Sequence, residues 1–292
     1  MVSKITSGFE KASKANRAAY IPFIMGGFPN KGTFMSLLKT LDDGGADIIE
    51  VGIPFSDPLA DGPTIQKAGQ IALEQGANLV NIIQTLREED LTLRAPLVLM
   101  SYWNPILRMG IEKFGSETQA SNVSGVIIPD LPPEEAGQWI EIAETYGIDT
   151  IFMVAPTTTA KRRESIVKLS KGFVYLVSMT GVTGSALVVG QELLGAIANV
   201  KRISSLPVAV GFVVSSPDQA ASLSEVADGV IVGSALIKKC LEAPDYNRAI
   251  EDVGALSRGI MKRLGKNGSN LHGKVLQCPP MLTGCHALFY FD

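Results

Sequence analysis

The segment that decides the fold reads ADIIEVGIP over residues 46–54 and continues as FSDPLADGPT over residues 55–64. The apolar residues of the first part show no clean alternation, which is typical of a strand buried on both faces of a parallel sheet. Glu50 lies inside that run, where an ionised carboxylate is costly unless it is paired or takes part in chemistry. The prolines of the second part restrict its backbone and give a shaped loop with two further carboxylates. A barrel enzyme places acid/base chemistry beside a strand end in this way.

The three carboxylates each have a functional and a structural interpretation. The apolar setting of Glu50 is expected to raise its pKa, which suits proton transfer near neutral pH, whereas the structural alternative is an ion pair. Asp57 and Asp61 fit either catalysis or the capping of a helix that begins near residue 64. Spacing alone does not separate the two aspartates.

Composition narrows the class of protein. The chain has 292 residues, of which 46% are hydrophobic and 19% charged, enough for one large domain with a substantial core. A net charge of -3 gives no reason to expect nucleic acid or an anionic membrane as a partner. No apolar stretch approaches the roughly 20 residues of a membrane span, and the first residues lack the apolar core of a signal peptide. We therefore expect a cytoplasmic protein.

The positions of the histidines constrain the mechanism more strongly than the overall composition does. The chain has two, His272 and His286, and both lie close to its end. This inventory excludes a Ser-His-Asp or Cys-His mechanism, and a histidine-rich metal site, from the preceding 271 residues. Acid/base work there must fall mainly to Asp, Glu, Lys or Tyr.

Short apolar runs alternate with amphipathic stretches along most of the chain. The predicted strands are residues 20–25, 47–53, 97–102, 125–129, 149–154, 173–178, 207–212 and 229–233. The predicted helices between them include residues 32–43, 133–146, 159–170, 191–203 and 217–226. This alternation predicts a (β/α)8 TIM barrel, with an open doubly wound sheet as the alternative. Neither the GxGxxG motif nor the GxxxxGK motif followed by Ser or Thr is present, which weighs against dinucleotide and P-loop binding.

Additions to the simple alternation are expected at both ends and after the second strand. Residues 4–19 form a helical pattern that would close the bottom of the barrel. The gap from residue 53 to 97 has room for the acidic loop and two helices, at about 64–74 and 79–88. The last helical pattern runs from about 246 to 264 and stops at Gly265, a candidate C-cap. We expect a single domain over residues 1–265.

Residues 266–292 differ in character from the rest of the chain. Glycine, asparagine and proline are interspersed there with Cys278, Cys285 and the two histidines. Their spacing fits no standard zinc pattern. We expect an appended tail of unknown structure, and no metal site.

In a barrel, function collects at the carboxyl ends of the strands and in the loops that follow them. The polar, aromatic and small residues at these positions are Glu50, Asp61, Tyr102, Asn104, Asp130, Tyr175, Phe212, Gly233 and Ser234. Glycine-containing segments follow the sixth, seventh and eighth strands, at residues 178–185, 211–215 and 232–235. Each alone is ordinary turn chemistry, but together, with a helix that begins at Ser234, they favour a phosphate site.

These residues closely resemble the tryptophan synthase alpha subunit family. The signature IIEVGIPFSDPLADGPTIQ over residues 48–66 is long and specific. Supporting motifs are YWNP at 102–105, APTTT at 155–159, GVTG at 181–184 and IVGSA at 231–235. The resemblance covers about residues 1–265 and implies a TIM barrel.

The resemblance also implies a reaction and a set of roles. The family cleaves indole-3-glycerol phosphate to indole and glyceraldehyde 3-phosphate, a retro-aldol reaction. Glu50 would be the general acid/base, Asp61 would accept the indole N–H and stabilise the indoleninium, and Thr183 would close over the site and orient Asp61. The remaining implied contacts are Phe23, Tyr102, Tyr175 and Phe212 for the indole, and Gly184, Val213, Gly233 and Ser234 for the phosphate.

The family's partner is the tryptophan synthase beta subunit. By resemblance, that subunit holds pyridoxal phosphate and receives indole through a tunnel in an alpha2beta2 assembly, while this chain carries no cofactor. Residues 54–63 and the loop around Asn104 would lie at the interface.

Two features depart from the family pattern. The family usually has glycine where Val213 stands, and a β-branched side chain cannot take a positive φ cheaply. The tail after Gly265 has no family counterpart that we identify. Val213 is the one feature that favours a rival interpretation, a non-catalytic subunit that binds a beta partner. A different barrel enzyme acting on a phosphorylated substrate would not explain the whole 48–66 signature.

Overall fold

The computed structural model describes residues 3–88, 92–177, 191–211, 214 and 216–265. Within these residues the strands are β1 Ala19–Met25, β2 Ile49–Gly52, β3 Leu97–Met100, β4 Val123–Ile127, β5 Asp149–Ile151, β6 Met153–Val154, β7 Val174–Val177, β8 Val208–Gly211 and β9 Gly229–Val232. The α-helices are α1 Lys4–Lys14, α2 Lys31–Asp43, α3 Pro63–Glu74, α4 Leu79–Glu88, α5 Trp103–Met109, α6 Ile111–Ala120, α7 Gly137–Thr145, α8 Ala160–Leu169, α9 Gln191–Ile203, α10 Pro217–Ser224, α11 Ser234–Glu242 and α12 Tyr246–Met261.

The strands form one parallel sheet that closes into a barrel. Their order is β5-β4-β3-β2-β1-β9-β8-β7-β6. β5 and β6 are the two halves of the strand predicted at residues 149–154, interrupted at Phe152. The first half pairs with β4 and the second with β7, so this one strand joins both ends of the sheet. The TIM-barrel prediction is confirmed.

Each strand is buried on both faces, as its apolar sequence predicts. In β2 the side chains of Ile49 and Val51 belong to the apolar layer between strands and helices, whereas Ile48 belongs to the cluster inside the barrel. Side chains alternate along a strand, so Glu50 shares the interior with Ile48. Its register partner on β1 is Phe23. The carboxylate is therefore carried into the barrel by the period of the strand.

The N-terminal helix closes the bottom of the barrel, as predicted. Ser3 caps α1, with its side chain accepting a bond from the Ile5 amide. Ile5 and Phe9 pack into the interior cluster. The helix is shorter than the predicted 4–19 because Asn16, at a φ of 52°, turns the chain towards β1.

The extra helices after β2 are confirmed as α3 and α4, and three details differ from prediction. α5 and α6, between β3 and β4, were not predicted. The third strand ends at Met100, so Tyr102 is the N-cap of α5 rather than a strand residue. α12 ends at Met261 with Lys262 as C-cap, so the C-cap assignment of Gly265 was wrong. Gly265 instead pairs with Arg17 in an antiparallel bridge.

Across the described residues, every helix is too short or too polar to traverse a bilayer. The tail at 266–292, with its cysteines and histidines, lies outside the described residues, so the domain boundary at residue 265 stays a prediction.

Candidate active site

Glu50 is buried inside the barrel without a bonding partner among the described residues. Its side chain comes from β2, and only 1% of the residue is exposed. Both carboxylate oxygens lack a hydrogen-bond donor in that part of the chain, and no ion pair involves them there. A group left in this state is destabilising unless it is protonated or used, so the observation does not support the structural ion pair.

The loop after β2 brings Asp61 to the same place. The Asp61 amide donates to the Pro58 carbonyl at 3.1 Å, and the Gln66 side-chain amide donates to the Asp61 carbonyl at 2.9 Å. The N-cap of α3 is Gly62, with no side-chain cap bond, so Asp61 does not cap the helix. Asp57 is exposed on the outer part of the loop. The structure therefore distinguishes the two aspartates, because Asp61 lines the same cavity as Glu50, whereas Asp57 is exposed. Their spacing in the sequence did not distinguish them.

The two carboxyl groups have different proton affinities. Burial raises the pKa of Glu50 to about 8, and the nearby charge of Asp61 adds to the rise. Burial also raises the pKa of Asp61, to about 6, while a hydrogen bond from the Tyr102 hydroxyl opposes the rise. Near pH 7 Glu50 is therefore mainly protonated and Asp61 mainly ionised. Carboxyl groups separated in this way supply an acid and a fixed negative charge in one site.

A cavity of about 160 Å³ lies between these groups at the carboxyl end of the barrel. Its wall combines apolar side chains with two carboxyl groups and small polar residues. The lining residues are Phe23, Glu50, Asp61, Gly62, Pro63, Thr64, Ile65, Met100, Tyr175, Ile231, Gly233 and Ser234.

Six of the predicted site residues lie in that lining: Phe23, Glu50, Asp61, Tyr175, Gly233 and Ser234. Tyr102 is not among them, although it contacts the Asp61 loop. Met100 and Ile231, at or near the carboxyl ends of β3 and β9, also line the cavity and were not predicted. The signal was available, because apolar residues at those strand positions face the barrel mouth. Thr183, Gly184, Phe212 and Val213 lie outside the described residues.

The helix that begins at Ser234 forms one end of the cavity. Gly233 is the N-cap of α11 and makes no side-chain cap bond. The first amides of a helix have no partner within it and carry partial positive charge. A Cβ at position 233 would approach the Phe23 ring to 3.1 Å, so glycine keeps this end open beside the apolar wall. The arrangement suits an anionic group at the end of an apolar ligand.

Tyr175 completes the wall beside Glu50. The residue is 3% exposed, and its ring lies 6.3 Å from that of Phe173. Burial, then the charges of Glu50 and Asp61, raise the pKa of Tyr175 well above its ordinary value. A Cβ at position 211 would lie 2.4 Å from the Tyr175 hydroxyl, so Gly211 makes room for the ring. Tyr175 is thus a neutral wall residue at physiological pH.

Within the described ranges, no three His, Cys, Asp or Glu side chains come together as a metal ion would require.

A closed parallel barrel with two carboxyl groups of separated pKa and an open helix N-terminus defines a TIM-barrel enzyme of acid/base chemistry. Its cavity suits a ligand that is apolar at one end and anionic at the other.

The chain belongs to the tryptophan synthase alpha chain family, whose model matches residues 9–264. The alpha chain of Prochlorococcus marinus is 46% identical over 262 residues, covering 89% of this chain and 94% of that one. The alpha chain of a Picosynechococcus species is 44% identical over 239 residues, covering 82% and 90%.

Solved structures agree with the sequence relatives. Tryptophan synthase of Mycobacterium tuberculosis superimposes with a TM-score of 0.83 at 36% identity, covering 91% of this chain and 100% of that one. The alpha subunit of Legionella pneumophila gives a TM-score of 0.83 at 34% identity, covering 90% and 99%. The chain is therefore a lyase of tryptophan biosynthesis, in a family whose alpha chains pair with a beta subunit.

Proposed function

We propose that this chain cleaves indole-3-glycerol phosphate to indole and glyceraldehyde 3-phosphate. The observation that carries the proposal is that Glu50 and Asp61 line one cavity of about 160 Å³. The pKa of Glu50 is about 8 and that of Asp61 about 6, so that near pH 7 Glu50 can donate a proton while Asp61 is ionised. An indole ring would lie in the apolar part, against Phe23 and Tyr175. Its phosphate would lie at the start of α11.

The proton transfers follow from the two pKa values. Glu50, protonated near neutral pH, gives its proton to indole C3, and the ring becomes a cationic indoleninium. The Glu50 carboxylate then takes the proton of the hydroxyl on the carbon attached to C3. As that carbon becomes an aldehyde, the C3–carbon bond breaks and its electron pair returns to the ring. Indole leaves and Glu50 is again protonated.

Asp61 stabilises the charge that develops during this step. Its carboxylate, ionised above a pKa of about 6, accepts the indole N–H and faces the positive ring. A fixed negative charge in a water-poor site lowers the barrier because it needs no reorganisation as the charge appears. The chemistry requires no histidine, metal or redox group from this chain.

The phosphate would be held by the amides at Gly233 and Ser234, where α11 begins. The family resemblance adds Gly184 and Val213 at the phosphate, and Thr183 and Phe212 near the indole. These four residues stay predictions.

A second surface supports a beta-subunit partner. A groove of about 590 Å³ lies on the outer side of the acidic loop. We name it the partner groove, and its lining residues are Pro54, Phe55, Ser56, Leu73, Asn78, Leu79, Val80, Asn104, Pro105, Arg108 and Met109. The groove includes the first three residues of the segment 54–63, and also Asn104, all of which the resemblance assigns to the interface. Leu59, in the same acidic loop, is 84% exposed, and a partner seated on this loop would cover it.

We therefore propose a cytoplasmic alpha2beta2 assembly in which the beta subunit seats on the partner groove. The beta subunit would hold pyridoxal phosphate, and this chain would hold no cofactor.

Indole release tests the proposed reaction. The purified chain with indole-3-glycerol phosphate should form indole slowly, and faster with a beta subunit. Asp61→Asn should lose most of this turnover, whereas Asp57→Asn, in the same loop but exposed, should retain it without the beta subunit. Tight beta binding with no indole in either condition would refute the lyase and favour the non-catalytic subunit.

A further inference from the structure

We propose that Tyr102 is a positioning residue that holds the Asp61 carboxylate in place for the reaction while its ring is braced by Phe55. The inference rests on the proposed function and deepens it. It also revises the expectation that Tyr102 contacts the substrate.

The location of Tyr102 argues against direct substrate contact. The residue follows β3 and is the N-cap of α5, and it is 5% exposed. It does not line the cavity that contains Glu50 and Asp61. A buried tyrosine beside a site, with its hydroxyl aimed at the site's loop, acts on that loop.

The Tyr102 hydroxyl interacts with two successive residues of the acidic loop. It accepts a hydrogen bond from the Ala60 amide at 2.9 Å. The same hydroxyl lies beside the Asp61 side chain, and its interaction with that carboxylate lowers the pKa of Asp61 against the effect of burial. A hydroxyl that accepts from the amide of residue 60 fixes the loop backbone directly before Asp61, and this positions the Asp61 carboxylate.

The Tyr102 ring packs on an aromatic neighbour, and the backbone that follows it is anchored. Its centroid lies 5.3 Å from that of Phe55, with an interplanar angle of 31°. The next residue, Trp103, donates its amide to the Asp130 carboxylate at 2.9 Å, which secures the start of α5. Because Phe55 also lines the partner groove, the aromatic pair lies between that groove and Asp61.

The charged and titratable surroundings make the hydroxyl more important. Glu50 on β2 and Tyr175 on β7 face Asp61, while Asp130 beyond β4 acts on Tyr102. Arg162 on α8 lines a neighbouring cavity with Ala60 but is paired with Glu134. Without the Tyr102 hydroxyl, the Asp61 carboxylate would stay buried among groups that disfavour its ionised form.

The experiment is the pH dependence of indole release by Tyr102→Phe in the full chain. The apparent pKa of the rising, acidic limb of kcat should move above that of the wild type. At pH 7 kcat should fall about tenfold, as expected for the loss of about 1.4 kcal/mol of stabilisation of the ionised Asp61, while KM changes little. Phe55→Leu keeps the hydroxyl but loosens the ring, so it should move the limb in the same direction by less.

Tyr146→Phe is the matched control. Its hydroxyl donates to Glu112 at 2.6 Å on the outer face, between α6 and α7, so the variant also loses a tyrosine–carboxylate bond. It should show the wild-type kcat and the wild-type limb. The inference is overturned if Tyr102→Phe, folded by circular dichroism, keeps the wild-type limb, or if only KM changes. Failure of the proposed function is a separate result, because the wild-type chain would then release no indole.

Discussion

Asp47 and Glu50 are three residues apart in the chain, equally buried, and opposite in their surroundings. Asp47, at the bottom of the barrel, is 4% exposed and Glu50 is 1% exposed. Arg17 binds both oxygens of Asp47, and the Tyr20 amide donates to it at 2.9 Å. Neither oxygen of Glu50 has a partner among the described residues. The bottom of the barrel uses a buried carboxylate to hold the structure, and the top keeps one free to move a proton.

The difference teaches that burial alone does not identify a catalytic carboxylate. A buried charge is tolerated when it is paired and fully hydrogen-bonded, as at Asp47. A buried carboxyl without donors holds its proton instead, and that proton is then available near neutral pH. Replacing Asp47 should therefore reduce the stability of the fold, whereas replacing Glu50 should reduce the catalytic activity.

The largest expected effect is on turnover at Glu50. Glu50→Gln keeps the shape but cannot exchange a proton, so kcat should fall about a thousandfold or more, within the range for loss of a general acid/base. Indole release measures it, and substrate affinity should change little. Turnover near the wild-type value would make Glu50 a structural residue.

The next effect is on stability at Asp47. Asp47→Asn leaves the Arg17 guanidinium, only 12% exposed, without its anion. Breaking a buried pair of this kind costs about 3 to 5 kcal/mol of unfolding free energy. Urea unfolding measures the loss, and kcat of the remaining folded protein should stay close to wild type. A loss below about 1 kcal/mol would place this pair among weak surface pairs.

A comparable effect is expected in the pH dependence of stability. The pKa of Glu50 is raised from 4.5 to about 8 in the folded chain, so the folded state holds a proton that the unfolded state has released between these values. The contribution of the Glu50 carboxyl to the free energy of unfolding is therefore lost as the pH rises from about 4.5 to 8. Glu50→Gln should be more stable than wild type at pH 9 by on the order of 5 kcal/mol, and close to it at pH 4. Parallel stability curves for the two proteins would contradict the shift.

The smallest effect is the shape of the activity profile. Asp61 must be ionised and Glu50 protonated, so kcat should rise near pH 6 and fall near pH 8. The falling limb is the direct consequence of Glu50 differing from Asp47. A profile that stays flat above pH 8 would mean that Glu50 does not supply the proton.

The sequence predicted much of the fold because the signals are local. Apolar runs gave the strands, and the apolar run around Glu50 predicted that its carboxyl group is buried. The side of the sheet that Glu50 faces followed only from the structure. α5 and α6 were missed, and the strand at 149–154 was predicted as continuous. The break at Phe152 comes from its change of sheet partner, which is a tertiary property.

The types of residue in the site could be predicted from the sequence, but the role of each individual residue was harder to predict. Whether Asp57 or Asp61 faces Glu50 depends on the backbone that makes Gly62 the N-cap of α3. That Asp47 is paired depends on Arg17, 30 residues earlier, as the ion pair shows. Tyr102 was predicted to contact the substrate and is now proposed to position Asp61. This change likewise follows because β3 ends two residues earlier than predicted. Each of these depends on contacts between distant segments, which no local pattern contains.

The most direct test of the difference between the two carboxylates is a titration of the Glu50 carboxyl group itself. Carbon NMR of the chain labelled in glutamate side chains, compared with the same spectra of Glu50→Gln, identifies the signal. The free, buried carboxyl predicts a titration near pH 8 that the variant lacks. A Glu50 signal that titrates near the ordinary value of 4.5 would contradict it.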